Sequence, residues 1–278
     1  MRIWKGVLAG VLMFGAACPA AMATTRNFTY TYEPETMPQG AFEFEEWTTL
    51  RETRSNRVGQ NHYTRWDLKQ EFEYGVTDNY SLSLYLNEVS EYFREPGTNA
   101  KTNDFDFDGV SFENRLMVLD PAKNAVGLTL YLEPRFGNGE IELEEKVILG
   151  QRWDRWKWAF NVSHATEWKD AEAPGEEDET EGELEFDFGA TYELNQHWNL
   201  GVEFRNQNQF PEYENLERSV FYVGPVVSYR RENWWATLTF LTQCYGTNDT
   251  SPDPDGNNSL ELEDHELFNV RLIIGISF

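Results

Sequence analysis

The sequence alternates between apolar and polar residues at a period of two over most of its length. In the stretch WDLKQEFEY, residues 66–74, every odd-numbered residue is charged and the even-numbered residues are apolar or neutral. The stretch LEFDFGATY, residues 184–192, alternates in the same way. Because successive side chains of a β-strand point to opposite faces, this pattern predicts strands with one apolar face and one polar face.

We count twelve such runs, most of them 11–14 residues long. That is about the length that a tilted strand needs to cross a membrane. The runs cover residues 41–53, 62–76, 79–92, 109–119, 126–136, 140–151, 156–168, 183–194, 197–208, 219–230, 233–245 and 265–278.

The connections between these runs are of two kinds, which alternate along the chain. The first kind is short and rich in turn-forming residues, at 77–79, 120–125, 153–155, 195–197 and 231–233. The second kind includes long polar segments at 93–108, 169–182, 209–218 and 246–264, and has short members at 54–61 and 137–139. Short turns on one side and long loops on the other are typical of outer-membrane barrels. We therefore predict an all-β fold: a transmembrane antiparallel up-and-down barrel of about 12 strands over residues 41–278, with both ends on the short-turn, periplasmic side.

The last strand ends with FNVRLIIGISF, in which apolar residues occupy every second position before the terminal aromatic residue. This arrangement resembles the C-terminal insertion signal of bacterial outer-membrane β-barrel proteins. The resemblance implies an integral protein of the Gram-negative outer membrane, surrounded by lipid and lipopolysaccharide, with its chain end at the periplasmic rim. It also implies that the barrel assembly machinery recognises the signal residues Leu272, Ile274, Ile276 and Phe278.

Aromatic residues beside the short turns support this interpretation, because amphipathic rings favour the headgroup level of a membrane. They are Phe42, Phe44, Tyr74, Tyr80, Trp156, Tyr192, Trp198, Tyr229, Trp234 and Phe278. A secreted β-sandwich or a soluble barrel would alternate in the same way, so periodicity alone does not separate the architectures. Strand length, loop asymmetry, the aromatic girdle and the last residue favour the membrane barrel.

The residues before the first run divide into two segments. Residues 1–23 contain two basic residues, a short apolar run and the small-residue site Ala21-Met22-Ala23, which together predict a secretory signal peptide. The mature chain then keeps only Cys244 and has no intramolecular disulfide, which suits a bacterial envelope. Residues 24–40 include the alternating piece 28–32, which we interpret as a short extended segment at the periplasmic mouth that could also fold inward.

If the apolar face meets lipid, the opposite face lines the lumen, and that face is rich in charges of both signs. Several acid–base couples, such as Glu113/Arg115 and Glu133/Arg135, are two residues apart and lie on neighbouring strands, so ion pairs are available. Desolvating so many charges would cost more than pairing returns, which predicts a wet lumen, either open or plugged. The candidate pore-lining residues are Asp67, Lys69, Glu113, Arg115, Glu133, Arg135, Lys146, Glu203, Arg205 and Arg271.

These features lead us to expect a channel for passive passage or binding of small hydrophilic solutes. Acids outnumber bases on the polar face, so we expect a weak preference for cations. We expect four arginines at mid-height or above: Arg115, Arg135, Arg205 and Arg271. The alternative is a non-conducting structural or surface-interaction barrel that acts through its acidic loops. The net charge of −25 argues against nucleic acid as a partner.

Catalytic, cofactor and metal motifs are weak in this sequence. Ser163 and His164 are adjacent, so they point to opposite faces of a strand, whereas Asp264-His265 could form a dyad with a further acid. We expect no enzyme activity, no cofactor and no dedicated metal site. The acidic loop stretches 104–108, 176–181 and 253–257 are expected to be solvated, or to bridge weakly through Ca²⁺ or Mg²⁺ to lipopolysaccharide phosphates.

A few charged residues break the alternation. Glu145 and His164 fall on the apolar face, and the pair Glu45-Glu46 interrupts the first strand. A β-bulge shifts the parity of every residue after it, so we predict bulges at these places.

Overall fold

A computed structural model describes residues 25–54, 61–95, 97–137, 139–170, 179–248 and 259–278. The predicted signal peptide and the acidic stretch 253–257 lie outside these residues, as do residues 176–178 of the second acidic stretch. The strands are β1 (Phe42–Glu52), β2 (Asn61–Thr77), β3 (Tyr80–Arg94), β4 (Lys101–Leu119), β5 (Gly127–Phe136), β6 (Glu140–Trp153), β7 (Trp156–Lys169), β8 (Glu179–Glu193), β9 (Trp198–Pro211), β10 (Arg218–Arg230), β11 (Trp234–Asn248) and β12 (Phe268–Ser277). Each strand pairs antiparallel with the next, and β1 pairs with β12 to close the barrel. The predicted all-β barrel of 12 strands is confirmed.

The prediction of a loop at residues 93–108 was wrong for most of that range. Strands β3 and β4 continue their ladder until Arg94 lies opposite Lys101. The reason is that residues 104–108 read DFDFD, so they alternate like the strands and their backbone groups can pair. A bulge interrupts this ladder, because Asn87 lies opposite Gly109 while Glu88 lies opposite Phe107. Gly109 has a φ of 112°, a conformation that favours glycine at a bulge.

The outer face of the barrel carries an exposed apolar belt bordered by aromatic rings. Leucine, isoleucine and phenylalanine side chains of the strands remain exposed on this face. Beside the short turns, the ring centroids of Trp198 and Tyr229 lie 4.6 Å apart and those of Trp156 and Tyr192 lie 5.1 Å apart. Such a surface suits a lipid environment, with the rings at the headgroup level. No helix among the described residues is long and apolar enough to cross a membrane.

The C-terminal residues complete this outer surface. Leu272, Ile274 and Ile276 of β12 are exposed on the apolar face. The backbone N–H of Phe278 donates to the carbonyl of Phe42 over 3.0 Å, and the two rings lie 5.8 Å apart. The chain end therefore lies on the outer surface at the closing seam, on the short-turn side that faces the periplasm in outer-membrane barrels.

The bulges predicted for β1, β6 and β7 were wrong. Both ladders of β1 and the ladder between β6 and β7 run without a register shift, and Glu145 lies directly opposite His164. The polar groups on the outer face find partners there instead. The Tyr213 hydroxyl lies 3.3 Å from His164 Nε2, and Gln70 donates to Glu46 over 3.2 Å. Paired polar groups can remain on this face without a change of register, because each partner satisfies the other.

Residues 25–37 lie inside the barrel, and we call them the N-terminal plug. They form no strand. The return to β1 is fixed at the short-turn end, where Gly40 N–H donates to the Gly75 carbonyl over 2.8 Å and the Thr36 hydroxyl donates to the Asp78 carbonyl over 3.1 Å. The plug therefore occupies the periplasmic half of the lumen.

Aromatic residues of the plug form the apolar core of the barrel together with residues of the wall. Each of three buried clusters contains one plug aromatic: Phe28, Tyr30 or Tyr32. Phe28 packs against Gly189 so closely that a Cβ at that position would lie 2.5 Å from its ring. Glycine at this wall position therefore makes room for the ring, and the core of this barrel depends on the plug.

Candidate functional site

Glu203 on β9 anchors the tip of the plug. Its carboxylate accepts hydrogen bonds from three consecutive backbone N–H groups, at 3.1 Å from Thr29, 2.9 Å from Tyr30 and 2.8 Å from Thr31. The hydroxyl of Thr239 also donates to it. Hydrogen bonds to a charged acceptor are stronger than neutral ones, so this carboxylate fixes the plug backbone.

Other polar contacts hold the two ends of the plug. Arg26 pairs with Glu45 at 3.0 Å and with Glu71 at 3.2 Å. Asn161 on β7 accepts from the N–H of Tyr32 over 2.6 Å and donates to its carbonyl over 2.9 Å. The plug therefore meets opposite sides of the barrel wall through ionic and hydrogen-bonding side chains.

Above the plug lies a cavity of about 230 Å³, which we call the outer cavity. Its floor includes the aromatic side chains Tyr30, Tyr32, Trp47 and Tyr131, and its walls are mostly charged. The structure places seven of the ten candidate pore-lining residues on this cavity: Asp67, Lys69, Glu133, Arg135, Lys146, Arg205 and Arg271.

The other three candidates point into the barrel but do not line the outer cavity. Glu203 binds the plug, whereas Arg115 pairs with Glu73 and with Glu113, the latter at 2.7 Å. Arg115 lies opposite Ser81, one residue after β3 begins, so it sits near the short-turn end. The expectation that it lies at mid-height or above was therefore wrong, because strand parity sets the direction of a side chain and not its height.

Ion pairs satisfy most charges that line the outer cavity. Arg205 lies 2.6 Å from Glu185, and Lys146 lies 2.9 Å from Glu144. The expected couple of Glu133 and Arg135 does not form, because Arg135 reaches acids of the flanking strands instead. Its partners are Asp108 at 2.6 Å, Glu140 at 2.8 Å and Glu142 at 3.1 Å.

Solvent exposure divides these ionic side chains into two groups. Around the outer cavity the side chains of Arg51, Arg65 and Glu142 keep 25–30% of their exposure. Below it, Glu73 and Glu113 keep 1% each. Water therefore reaches the charged walls above the plug, while the ion pairs that Arg115 forms beside the plug are dry.

A segment after β11 covers part of the outer end of the barrel. His265 Nδ1 lies 2.7 Å from a Glu261 carboxylate oxygen, and the amide of Gln243 bonds to the Glu261 backbone at 2.7 Å. Burial alone would raise the pKa of Glu261, but the hydrogen bond and charge of His265 hold that pKa below its ordinary value. Asp264 instead pairs with Arg218 at 2.6 Å.

This geometry bears on the residues weighed for catalysis and metal binding. Ser163 is buried inside the barrel whereas His164 lies on the outer face, so the two side chains do not meet. Carboxylate oxygens of Glu43, Glu45 and Glu73 come within 4.8 Å of one another. Protein donors already hold these acids, including Trp235 on Glu43, Arg26 on Glu45 and Arg115 on Glu73.

The sequence predicted an extended segment at the periplasmic mouth that could fold inward, but it did not predict that this segment forms the floor of a cavity. Tyr30 and Tyr32 fall in the alternating piece 28–32, and that alternation was their only signal. No sequence pattern identified Arg26 as an anchor of the plug, because its partners Glu45 and Glu71 are distant in sequence.

Comparison with solved structures relates this architecture to outer-membrane channels. The fold is similar to the COG4313 outer membrane channel from Pseudomonas putida F1, with a TM-score of 0.60 and 9% identity over 90% of this chain and 100% of that one. A weaker likeness links it to the NanC porin, with a TM-score of 0.49 and 12% identity over 86% of this chain and 99% of that one. No curated protein sequence matches the chain.

The closed barrel, its lipid-facing belt and its likeness to a solved channel agree with one another, and the protein is an integral outer-membrane β-barrel. Its sequence matches one family from residue 20 to residue 278. The chain belongs to that family, DUF6662, whose description is "Family of unknown function".

Proposed function

We propose that this barrel is an outer-membrane channel that admits small hydrophilic solutes from the outer side and is constricted by its own N-terminal plug. The observation that carries this proposal is the solvent-reached, charged outer cavity above the plug. Polar walls bind or pass hydrophilic solutes because they replace part of the hydration shell of the solute. Full passage requires the plug to shift, because aromatic clusters and dry ion pairs surround it.

The ionic preference proposed for this channel is a weak one for cations. Seven acidic and seven basic residues point their side chains into the outer cavity, so the expected preference comes from the acidic excess of the whole chain. Such an excess concentrates cations at an entrance, and added salt screens it. We expect reversal potentials across a salt gradient to show cation preference at low salt that fades at high salt.

The experiment that tests passage is conductance of the purified protein in planar bilayers. The full chain is expected to show small or rare openings. A variant that lacks residues 25–37 should conduct more, provided that it still shifts on unheated gels as a folded barrel does. Glu203→Gln weakens the plug without deleting the core and serves as a second variant. Absence of conductance in all three folded proteins would refute the channel.

The second candidate is a non-conducting barrel that acts through its surface, and the plug favours it as well. Dry ion pairs and buried aromatic rings would make a permanent closure, and the exposed acidic stretch that includes Asp104 and Asp106 would face outward. Weak Ca²⁺ or Mg²⁺ bridging from such acids to lipopolysaccharide belongs to this candidate. A folded barrel that keeps its plug seated and never conducts would support this second candidate.

We also propose that the barrel performs no catalysis. His265 is buried and held by Glu261, while Asp264 is occupied by Arg218. A nucleophile activated by His265 would need the ring nitrogen that faces away from Glu261. Hydrolysis of ester or peptide substrates by the purified protein, abolished in a His265→Ala variant, would contradict this proposal.

A further inference from the structure

Charges around the outer cavity are separated by sign. Strands β12, β1 and β2 are neighbours in the closed barrel, and they contribute four bases and one acid to the cavity, which we call the basic wall: Arg271, Arg51, Arg65, Lys69 and Asp67. Strands β4 to β9 contribute six acids and three bases, which we call the acidic wall: Asp108, Glu133, Arg135, Glu142, Glu144, Lys146, Glu183, Glu185 and Arg205. Because the barrel is closed, these two walls face each other across the cavity.

On the basic wall, two cations have no acid within salt-bridge distance in the described part of the chain. Arg271 donates to the Thr49 hydroxyl over 2.8 Å and to the Thr29 carbonyl over 3.2 Å, and its guanidinium lies 4.0 Å from the centre of the Tyr30 ring. Lys69 has its ammonium 5.5 Å from the centre of the Tyr85 ring. Both cations therefore keep donors for a bound anion.

On the acidic wall, two carboxylates likewise have no base within salt-bridge distance in the described part of the chain. Glu133 accepts from the Tyr131 hydroxyl, and Glu183 accepts from the Gln207 amide over 2.9 Å. Lys69 and Lys146 act on Glu133 only from a greater distance. These acids therefore keep acceptor capacity for a bound cation.

We propose that the outer cavity binds a small zwitterion, whose carboxylate meets Arg271 and Lys69 and whose ammonium meets Glu133 and Glu183. This inference rests on the proposed function, since it names the class of solute that the channel admits. A solute with a single charge would satisfy one wall and leave the other without a partner, which is costly for partly buried charges. A zwitterion satisfies both walls at once.

The size and floor of the cavity set the remaining limits on the solute. Its volume of about 230 Å³ is roughly eight times the ~30 Å³ that one water occupies in the liquid. A solute of about seven or eight non-hydrogen atoms fits that space. The floor admits only a short carbon chain between the two charges, because Arg271 and Lys146 already stack on the buried rings of Tyr30 and Tyr32. Short amino acids whose charges are separated by a few methylenes are therefore the preferred class.

Three probes with the same carbon chain test this inference: 4-aminobutanoate, butanoate and butylammonium. Binding to the full-length barrel is measured by titration calorimetry in detergent at low salt, which does not require conduction. We expect 4-aminobutanoate to bind at least about tenfold more tightly than either singly charged probe, a difference of about 1.4 kcal/mol. Equal affinities for the three probes, or tighter binding of a singly charged one, would overturn the inference.

Two variants test which wall binds each charge of the solute, and two further variants serve as controls. Arg271→Gln is expected to weaken 4-aminobutanoate about tenfold and to leave butylammonium unchanged, whereas Glu183→Gln should weaken 4-aminobutanoate and spare butanoate. Arg271→Lys should retain part of the affinity. Glu193→Gln, a change at the exposed short-turn end, should alter nothing. Loss of affinity for all probes in both wall variants, with the barrel folded, would also overturn the inference.

The conductance experiment separates the two proposals. Selective binding of 4-aminobutanoate by a barrel that never conducts would refute the channel proposal and support the zwitterion site. Conductance in a barrel that binds the three probes equally would support the channel proposal and refute the zwitterion site.

Discussion

Replacing Glu203 by glutamine is expected to loosen the N-terminal plug by a calculable amount. In the native protein one carboxylate oxygen accepts from the N–H groups of Tyr30 and Thr31, and the other accepts from the N–H of Thr29 and the hydroxyl of Thr239. Glutamine keeps one acceptor oxygen and removes the charge, and its NH₂ group then faces the second set of donors. The Thr239 hydroxyl can turn and accept from this NH₂ group, so only the bond from the Thr29 N–H is lost. Since a hydrogen bond to a charged group contributes about 1.5–3 kcal/mol, this loss and the weakening of the other bonds together cost roughly 2–4 kcal/mol.

That free energy applies to the equilibrium between the seated and the released plug. At about 1.4 kcal/mol for each factor of ten, the released population rises roughly 30- to 700-fold. Many contacts still hold the plug, including Arg26 with Glu45 and the burial of Phe28, so the seated form remains dominant. The effect is therefore expected in opening rates and not in the average structure.

Hydrogen exchange of the backbone amides in residues 28–32 measures this opening, because the Glu203 bonds protect three of those amides. Protection should fall by the same factor in Glu203→Gln and stay native in Glu193→Gln, which lies on the neighbouring strand at the turn. Protection in Glu203→Gln that stayed within about threefold of the native value would contradict the anchoring role of this carboxylate. In that case the plug would open through a route that leaves this carboxylate bound.

Three further predictions concern assembly, topology and pH. Deleting Phe278, or changing it to Asp, should leave degraded or periplasmic protein because the insertion signal is lost, and normal heat-modifiable barrel in outer-membrane fractions would contradict this. An epitope tag within 250–258 should be reachable on intact cells whereas a tag beside Lys123 should not, and the reverse labelling would overturn the orientation. The pKa of Glu261 in the folded protein lies below that of an unperturbed glutamate. The Glu261 carboxylate therefore stabilises the fold at pH values above the unperturbed pKa, and this stabilisation is lost as the pH falls through the lowered pKa. Exchange of amides in residues 259–267 should accelerate over that acidic window, and a His265→Ala variant should remove most of the dependence.

Strand number and the direction of each side chain followed from the sequence because the period-two pattern is a local signal. Every run that alternates, such as 66–74, reports which residues share a face, whatever strand lies beside it. Strand length, loop asymmetry and the aromatic residues beside the short turns then favoured a barrel in lipid over a soluble sheet. The bulge prediction failed where polar groups lie on the apolar face, as at His164, because a single strand does not show a distant partner such as Tyr213.

Tertiary structure decided what fills the barrel. Residues 28–32 alternate like a strand, and nothing local distinguishes a thirteenth strand from a segment inside the lumen. The choice depends on acceptors far along the chain: Glu203 lies 172–174 residues from the plug amides that it binds. Strand parity likewise points Arg115 inward but leaves its height and its partner Glu73 open, because both depend on strand stagger around the closed barrel. The sequence alone therefore determined the wall of this protein, and only the folded chain determined its closure and the charged cavity above it.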